Sequence, residues 1–204
     1  MNSDILFKLA FPAINIVIGV FFIFVALKTL IGRRPLLLSS RYLFAVMCLA
    51  FLPTIANSIV MGLSSSQSFS KILWMNPLIF LMLLAFFWIQ MKGYMAFAIS
   101  DVYFRDALLA SAKSLGYSIE ETMSCLKIKE TGHEMQVAIQ GWIGTAQLKS
   151  TAKESNDAVR QIADGMTKYF QSTPGKMNYI TSYLYLIVGV FLIAMSAWMF
   201  SLKL

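Results

Sequence analysis

The sequence predicts a membrane α protein: four transmembrane helices, with a small α+β cytoplasmic domain inserted between spans 3 and 4. Three observations carry that expectation. Four uncharged runs, 9–27, 42–70, 72–91 and 177–202, are 19, 29, 20 and 26 residues long. About 20 apolar residues in a helix cross roughly 30 Å of hydrocarbon. Hydrophobic residues make up 58% of the 204 and charged ones 13%, where a soluble domain averages about 25% charged. Finally, most of the charge is gathered into one segment, 101–176, long enough to fold as a small domain.

The first run follows a flank, Met1–Lys8, that carries Asp4 and a single lysine. It exceeds the roughly 7–15 apolar residues of a secretory leader, so it reads as a retained helix. Asn15 and Gly19 lie four apart and share one face, which suits a close helix contact. Gly32-Arg33-Arg34-Pro35 ends the span with a turn. The second span begins near Ser39 and carries Cys48, Pro53, Thr54, Asn57 and Ser58. Pro53 is expected to kink it, with the hydroxyls satisfying the released carbonyls. Ser64–Ser68 is a polar outer loop. The third span starts around Trp74, with Pro77 in its first turn. It runs to Gln90 and is expected to continue as helix to about Ile99. The fourth opens on Tyr179, Tyr183 and Tyr185 and ends near Trp198, as interfacial aromatic belts do. Gly189 at its middle admits a close neighbour. The resulting plan is 1–100 for helices 1–3, 101–176 for the cytoplasmic domain and 177–204 for helix 4.

Within 101–176 the pattern changes. Ser100 and Asp101 cap a helix over about Val102–Leu115, stopped by Gly116. Ser118 and Glu121 have capping-box spacing and predict a short helix. The period then becomes two: Leu126 and Ile128 alternate with lysines, Met135, Val137 and Ile139 with Gln136, Ala138 and Gln140. Thr131-Gly132-His133 is the expected turn of that hairpin, and Thr145–Lys149 a third strand. A second capping box, Thr151 with Glu154, opens a last helix whose apolar face is Val159, Ile162, Ala163, Met166 and Phe170. A sheet this small gains stability by packing on the helices or on a copy of itself, and a homo-oligomer is expected.

Lysine and arginine counts near the span ends set the orientation. Lys28, Arg33, Arg34, Arg41 and Lys92 lie on one side, whereas the opposite ends hold only Lys8, Lys71 and Lys203. This predicts a multi-pass protein of the inner (plasma) membrane of a bacterium, with both termini outside and 101–176 cytoplasmic. The formal charge of +7 belongs to the membrane flanks, because 101–176 balances nine basic against nine acidic residues. Charge at the flanks meets anionic headgroups, so the lipid bilayer is an expected partner and direct nucleic-acid binding is not expected.

No chemistry is concentrated anywhere. His133 is the single histidine, beside Glu134, and two ligands do not make a metal site. Cys125 and His133 lack an orienting third group. Cys48 and Cys125 form no paired framework. Of the adjacent pair Glu120 and Glu121, the second is assigned to a cap, and no phosphate-binding glycine loop occurs. No catalytic residue, cofactor site or metal site is therefore assigned. Gly141-Trp142-Ile143-Gly144 is a candidate ligand or partner loop, with glycines for close approach and an indole for stacking. It reads more readily as a bulge or a hairpin turn with a core tryptophan. Inside the spans the polar groups are the amides Asn15, Asn57, Asn76 and Gln90, suited to interhelix hydrogen bonds or to lining a pore.

On size, span count and the neutral domain, the chain resembles small four-span membrane subunits of prokaryotic antiphage systems, such as the membrane component of Kiwa. CRISPR-associated membrane effectors are a second comparison. No residue-level site carries over. The resemblance implies a membrane sensor or effector working with a separate cytosolic protein. The expected function is thus a non-enzymatic sensor or scaffold docking a cytosolic partner through 101–176. An oligomeric gated pore or membrane-disrupting effector is the alternative, and a membrane enzyme using Cys125 or His133 is a more distant one. The charge asymmetry predicts that alkaline phosphatase fused to the C-terminus is active and green fluorescent protein fused there is dark; the reverse pattern refutes the orientation.

Overall fold

Apolar runs become helices, and the alternating segment becomes a sheet carrying two helices. The computed structural model describes residues 3–64, 70–121, 125–128, 134–150 and 156–201. In chain order these are α1 (Ser3–Gly32), β1 (Leu36–Ser39), α2 (Ser40–Ser64), α3 (Ser70–Gln90), β2 (Tyr94–Phe97), α4 (Asp101–Ser114), β3 (Ile119–Glu121), β4 (Cys125–Ile128), β5 (Glu134–Gln140), β6 (Thr145–Ser150), α5 (Asn156–Ser172) and α6 (Ile180–Ser201). They divide into two units, one of residues 1–23, 42–91 and 187–204, the other of 24–41 and 92–186.

The first unit is helical. Three described helices are long and apolar enough to cross a membrane: Leu9–Gly32, Ser40–Val60 and Ile180–Ser201. This is compatible with a membrane α protein. In α3 the apolar helical stretch of that kind is shorter, Pro77–Gln90. Side chains such as Ile187 (66% exposed) and Phe191 (64%) point outward, an apolar surface that lipid solvates and water does not. Helices α1 and α6 approach at two glycines. A Cβ on Gly19 would lie 2.9 Å from the Gly189 carbonyl oxygen, and one on Gly189 would lie 2.7 Å from Ile23 Cγ1. Where lipid competes equally for apolar side chains, such close backbone approach supplies the packing gain. Phe44 meets Trp88 at 5.0 Å between ring centroids and Phe51 meets Phe80 at 5.2 Å. Ascending α2 thus matches descending α3, and the two run antiparallel.

Two expectations fail here. Pro77 does not open α3, which starts at Ser70; membrane-type helices accommodate an interior proline when neighbours re-satisfy the backbone. Nor does the helix continue to Ile99. The amide of Met91 bonds back to Phe87, Gly93 adopts φ +99°, and Tyr94–Phe97 is a strand. Only glycine takes that φ without strain.

The second unit is a six-stranded antiparallel sheet in the order β1-β2-β6-β5-β4-β3. It is wider than the two or three strands expected, because the segments after α1 and after α3 each add one and Ile119–Glu121 adds another. Tyr94 stands opposite Leu148 and Ser39 opposite Tyr94. The expected hairpin is present, with Leu126 opposite Met135 and Val137 opposite Leu148. The short helix at Ser118 is overturned, since Ile119–Glu121 is a strand with Ile119 opposite Ile128. A capping box stabilises a helix only if an apolar helical face follows; here Ile119 continues the two-residue alternation of β4. The Thr131–His133 turn and the Thr151–Glu154 box lie outside the described residues.

Helices α4 and α5 cover one face of the sheet. Phe104, Ala107 and Leu108 of α4 and Val159, Ile162, Met166 and Phe170 of α5 close over Ile128, Met135, Ala146 and Leu148. Ser100 caps α4, its hydroxyl accepting from the Tyr103 amide. Gly165 lets the helices touch, since its Cβ would sit 3.0 Å from Ser111 Cβ. Near the other end of the sheet, Thr29 and Ser182 hydroxyls lie 2.7 Å apart, both buried, and Thr29 Oγ1 is 2.8 Å from Ala26 O. If Ser182 donates to Thr29 and Thr29 to Ala26, both protons are used. Replacing Gly189 by valine overpacks the α1–α6 contact and is expected to cost about 1–3 kcal/mol, read as a lower unfolding temperature in detergent; an unchanged midpoint refutes the contact.

Candidate functional site

Two surfaces of the sheet unit have a distinctive build. The first is the sheet face away from α4 and α5. On β5 the residues Glu134, Gln136, Ala138 and Gln140 all point to that side and are exposed. The register places Glu120 opposite Lys127 and Lys127 opposite Glu134, so unlike charges neighbour one another across three strands. Gln136 faces Lys149 and Ala138 faces Gln147. Thr145 Oγ1 donates to Gln140 Oε1 at 3.3 Å. The charged groups Glu120, Glu134, Lys127 and Lys149 balance two against two. Over β3 to β6 this surface is polar and neutral, with Ala138 its smallest side chain.

The second surface surrounds the Gly141–Gly144 turn. The turn closes the β5–β6 hairpin, with the amides of Ile143 and Gly144 bonded to Gln140 O. It is also fastened to the start of α6. Asn178 Nδ2 donates to the carbonyls of Gly141 (2.7 Å) and Trp142 (3.3 Å), and its Oδ1 accepts from the Ile180 amide. The Thr181 amide and hydroxyl both donate to Ile143 O. Gly144 has φ +78°, and a Cβ there would lie 2.9 Å from Asn178 Cβ. Its carbonyl accepts from Ile99, next to Ala98, itself at φ +59° and fully buried. The glycines therefore serve a turn-to-helix lock. The core-tryptophan reading is corrected: Trp142 is 77% exposed, because the turn's inward contacts are all backbone and the indole is left outside. Beside the first residues of an apolar helix, an exposed indole suits a water–lipid boundary.

Two cavities share the Pro174–Gly175 segment, and the first of them reaches the turn at Gly141. One, of about 700 Å³, is lined by Asp101, Asp106, Tyr169, Lys176 and Asn178 among others. The other, of about 290 Å³, is lined by Arg33, Arg34, Phe170, Ser172, Thr173 and Met177 among others. Tyr103 lines both, and its hydroxyl donates to the Thr173 carbonyl. Burial raises the Tyr103 pKa, Tyr169 adds to this and Arg34 opposes it, so the phenol stays a donor at neutral pH.

The remaining sequence-derived residues are dispersed. Asn15 lies half-buried on α1, Asn57 half-buried on α2 and Gln90 exposed on α3; Asn76 is on α3, its side chain outside the described residues. The polar pair that joins helices in the sheet unit is Thr29 with Ser182. Hydroxyls are common enough in apolar helices that nothing in the sequence singled these out. Lys28 is exposed over the Phe24 ring at 5.5 Å, and Arg33, Arg34, Arg41 and Lys92 are exposed. Cys48 is a free, half-buried thiol. Cys125 lies on β4 opposite Gln136, whereas His133 lies outside the described residues. Among the described residues no cluster of three His, Cys, Asp or Glu could hold a metal.

No protein-family model, curated protein or solved structure matches the chain. Asn178→Ala removes the turn lock and the α6 cap together and is expected to cost about 0.5–2 kcal/mol. Trp142→Ala, at an exposed site, should change stability by no more than about 0.5 kcal/mol. Thermal unfolding of the purified protein distinguishes the two, and equal losses would refute the lock.

Proposed function

We propose that the chain is a non-enzymatic, membrane-anchored sensor or scaffold that docks a cytosolic protein on the open face of its sheet. One observation carries this: the face formed by Glu134, Gln136, Ala138 and Gln140 is exposed and its charges balance. A nucleic-acid surface needs a basic excess to displace counterions, and this face has none. Protein interfaces, by contrast, are about as polar as ordinary surface, with charge depleted at their centre; Ala138 and three glutamines occupy the centre here.

The remaining parts of the reading follow from the helices. α3 is taken as the fourth span, because it is 21 residues long and its side chains from Leu78 to Ile89 are largely exposed. The basic residues at 33, 34, 41 and 92 support a cytoplasmic location for the sheet by the positive-inside rule. A chain of this design suits a membrane subunit of an antiphage system of the Kiwa kind, where a cytosolic component would occupy the face. The test is photocrosslinking in cells, with a photoreactive residue at position 138 of the full-length protein and a control at Leu109, an exposed position on α4. A discrete adduct with one other protein at 138, absent at 109 and abolished by Gln136→Arg, supports docking. Only self-adducts, or equal adducts at both positions, refute it.

A further inference from the structure

We infer that Arg33 and Arg34, facing the Ser172–Gly175 segment, form a binding site for the phosphate of an anionic phospholipid headgroup. The inference is independent of the docking face. Both arginines line a cavity of about 290 Å³ that no Asp or Glu among the described residues lines. Both side chains are exposed, and neither is ion-paired or hydrogen-bonded among the described residues. Their donors are unspent, although arginine is built to offer a planar fork to phosphate.

The opposing wall does not use those donors. Thr173 O accepts from the Tyr103 hydroxyl, and Tyr169 O accepts from the Thr173 amide and the Ser172 hydroxyl. Tyr169 O, in the last turn of α5, is thus satisfied by its own neighbours, and neither arginine bonds a carbonyl of that turn. Arg33 sits at φ +46°, a region side chains rarely adopt, and the turn runs into the buried Pro35, whose ring fixes the backbone there. A fixed backbone lowers the entropy lost when the two forks engage one ligand.

The same cavity is part apolar. Phe170, Pro174 and Met177 line it beside the arginines. Ile31, two residues before Arg33, is 77% exposed. An inorganic phosphate has no use for such a wall, whereas the glycerol and first methylenes of a lipid do. The turn also follows directly on Leu9–Gly32, long and apolar enough to cross a membrane, which brings it to the depth of lipid phosphates. Basic pockets at span ends are where anionic headgroups bind.

Native mass spectrometry of the full-length protein in detergent tests the site, with phosphatidylglycerol and phosphatidylethanolamine titrated separately. Phosphatidylglycerol should be retained preferentially, and Arg33→Gln and Arg34→Gln should each weaken it about fivefold. Ser172→Glu puts a carboxylate at the cavity wall without touching the arginine turn, and should weaken it similarly. Lys28→Gln, Arg41→Gln and Lys92→Gln, at basic positions outside the cavity, should leave it unchanged. Equal weakening by those three shows diffuse attraction and overturns the site. So does undiminished binding to Ser172→Glu. Displacement of the lipid by millimolar inorganic phosphate shows a free-anion site and overturns the lipid assignment.

Discussion

The pairing of β2 with β6 is the constraint on which the sheet unit depends. Backbone that leaves a helix carries unsatisfied amides and carbonyls. The chain after α3 satisfies them by turning at Gly93 and entering the sheet beside Leu148, with Ser39 of β1 then opposite Tyr94. The Ser40 amide donates to Gly93 O at 2.9 Å, closing the outer corner. Ala96 and Ala146, both nearly inaccessible, stand opposite one another in the middle of this pairing. Larger side chains there would displace the helices that cover the sheet. Without this pairing the hairpin strands would form a smaller sheet, and the arginine turn would have nothing to hold it.

The two surfaces of the unit have different physical characters. The open face is balanced in charge and centred on alanine and glutamine, the pattern of a surface that meets protein. The Arg33–Arg34 cavity concentrates positive charge against an apolar wall, the pattern of a surface that meets a headgroup. Between them the Gly141–Gly144 turn is locked to the start of α6 through Asn178 and Thr181. That lock makes the β5–β6 hairpin and the beginning of an apolar helix one mechanical element.

Legibility in the sequence followed the length and regularity of each pattern. The apolar face of α5 was readable because five residues repeat at helical spacing, and all five are buried. The hairpin of Leu126, Met135 and Val137 was readable because its alternation persists over several residues. β1 and β2 were not: Leu36–Ser39 and Tyr94–Phe97 are four residues each, too short to show a period, and they border longer apolar runs that absorb them. Ser118 and Glu121 satisfy a local helix signal, but strand pairing with β4 decided the outcome. Trp142 was assigned to a core by its type. Its exposure followed from what the two flanking glycines touch, which a sequence does not display.

The sequence by itself determined which segments are long and apolar, where the basic residues cluster along the chain and which helix face is buried in α5. These are sums over many residues, so local exceptions do not alter them. Only the tertiary structure decided that the segments after α1 and α3 are strands, that Gly19 meets Gly189, that Thr29 meets Ser182, and that Arg33 and Arg34 face Thr173 across a cavity. Each of these joins residues far apart in the chain through one or two contacts. Such contacts leave no periodic trace, because their geometry is set by the packing of everything between them.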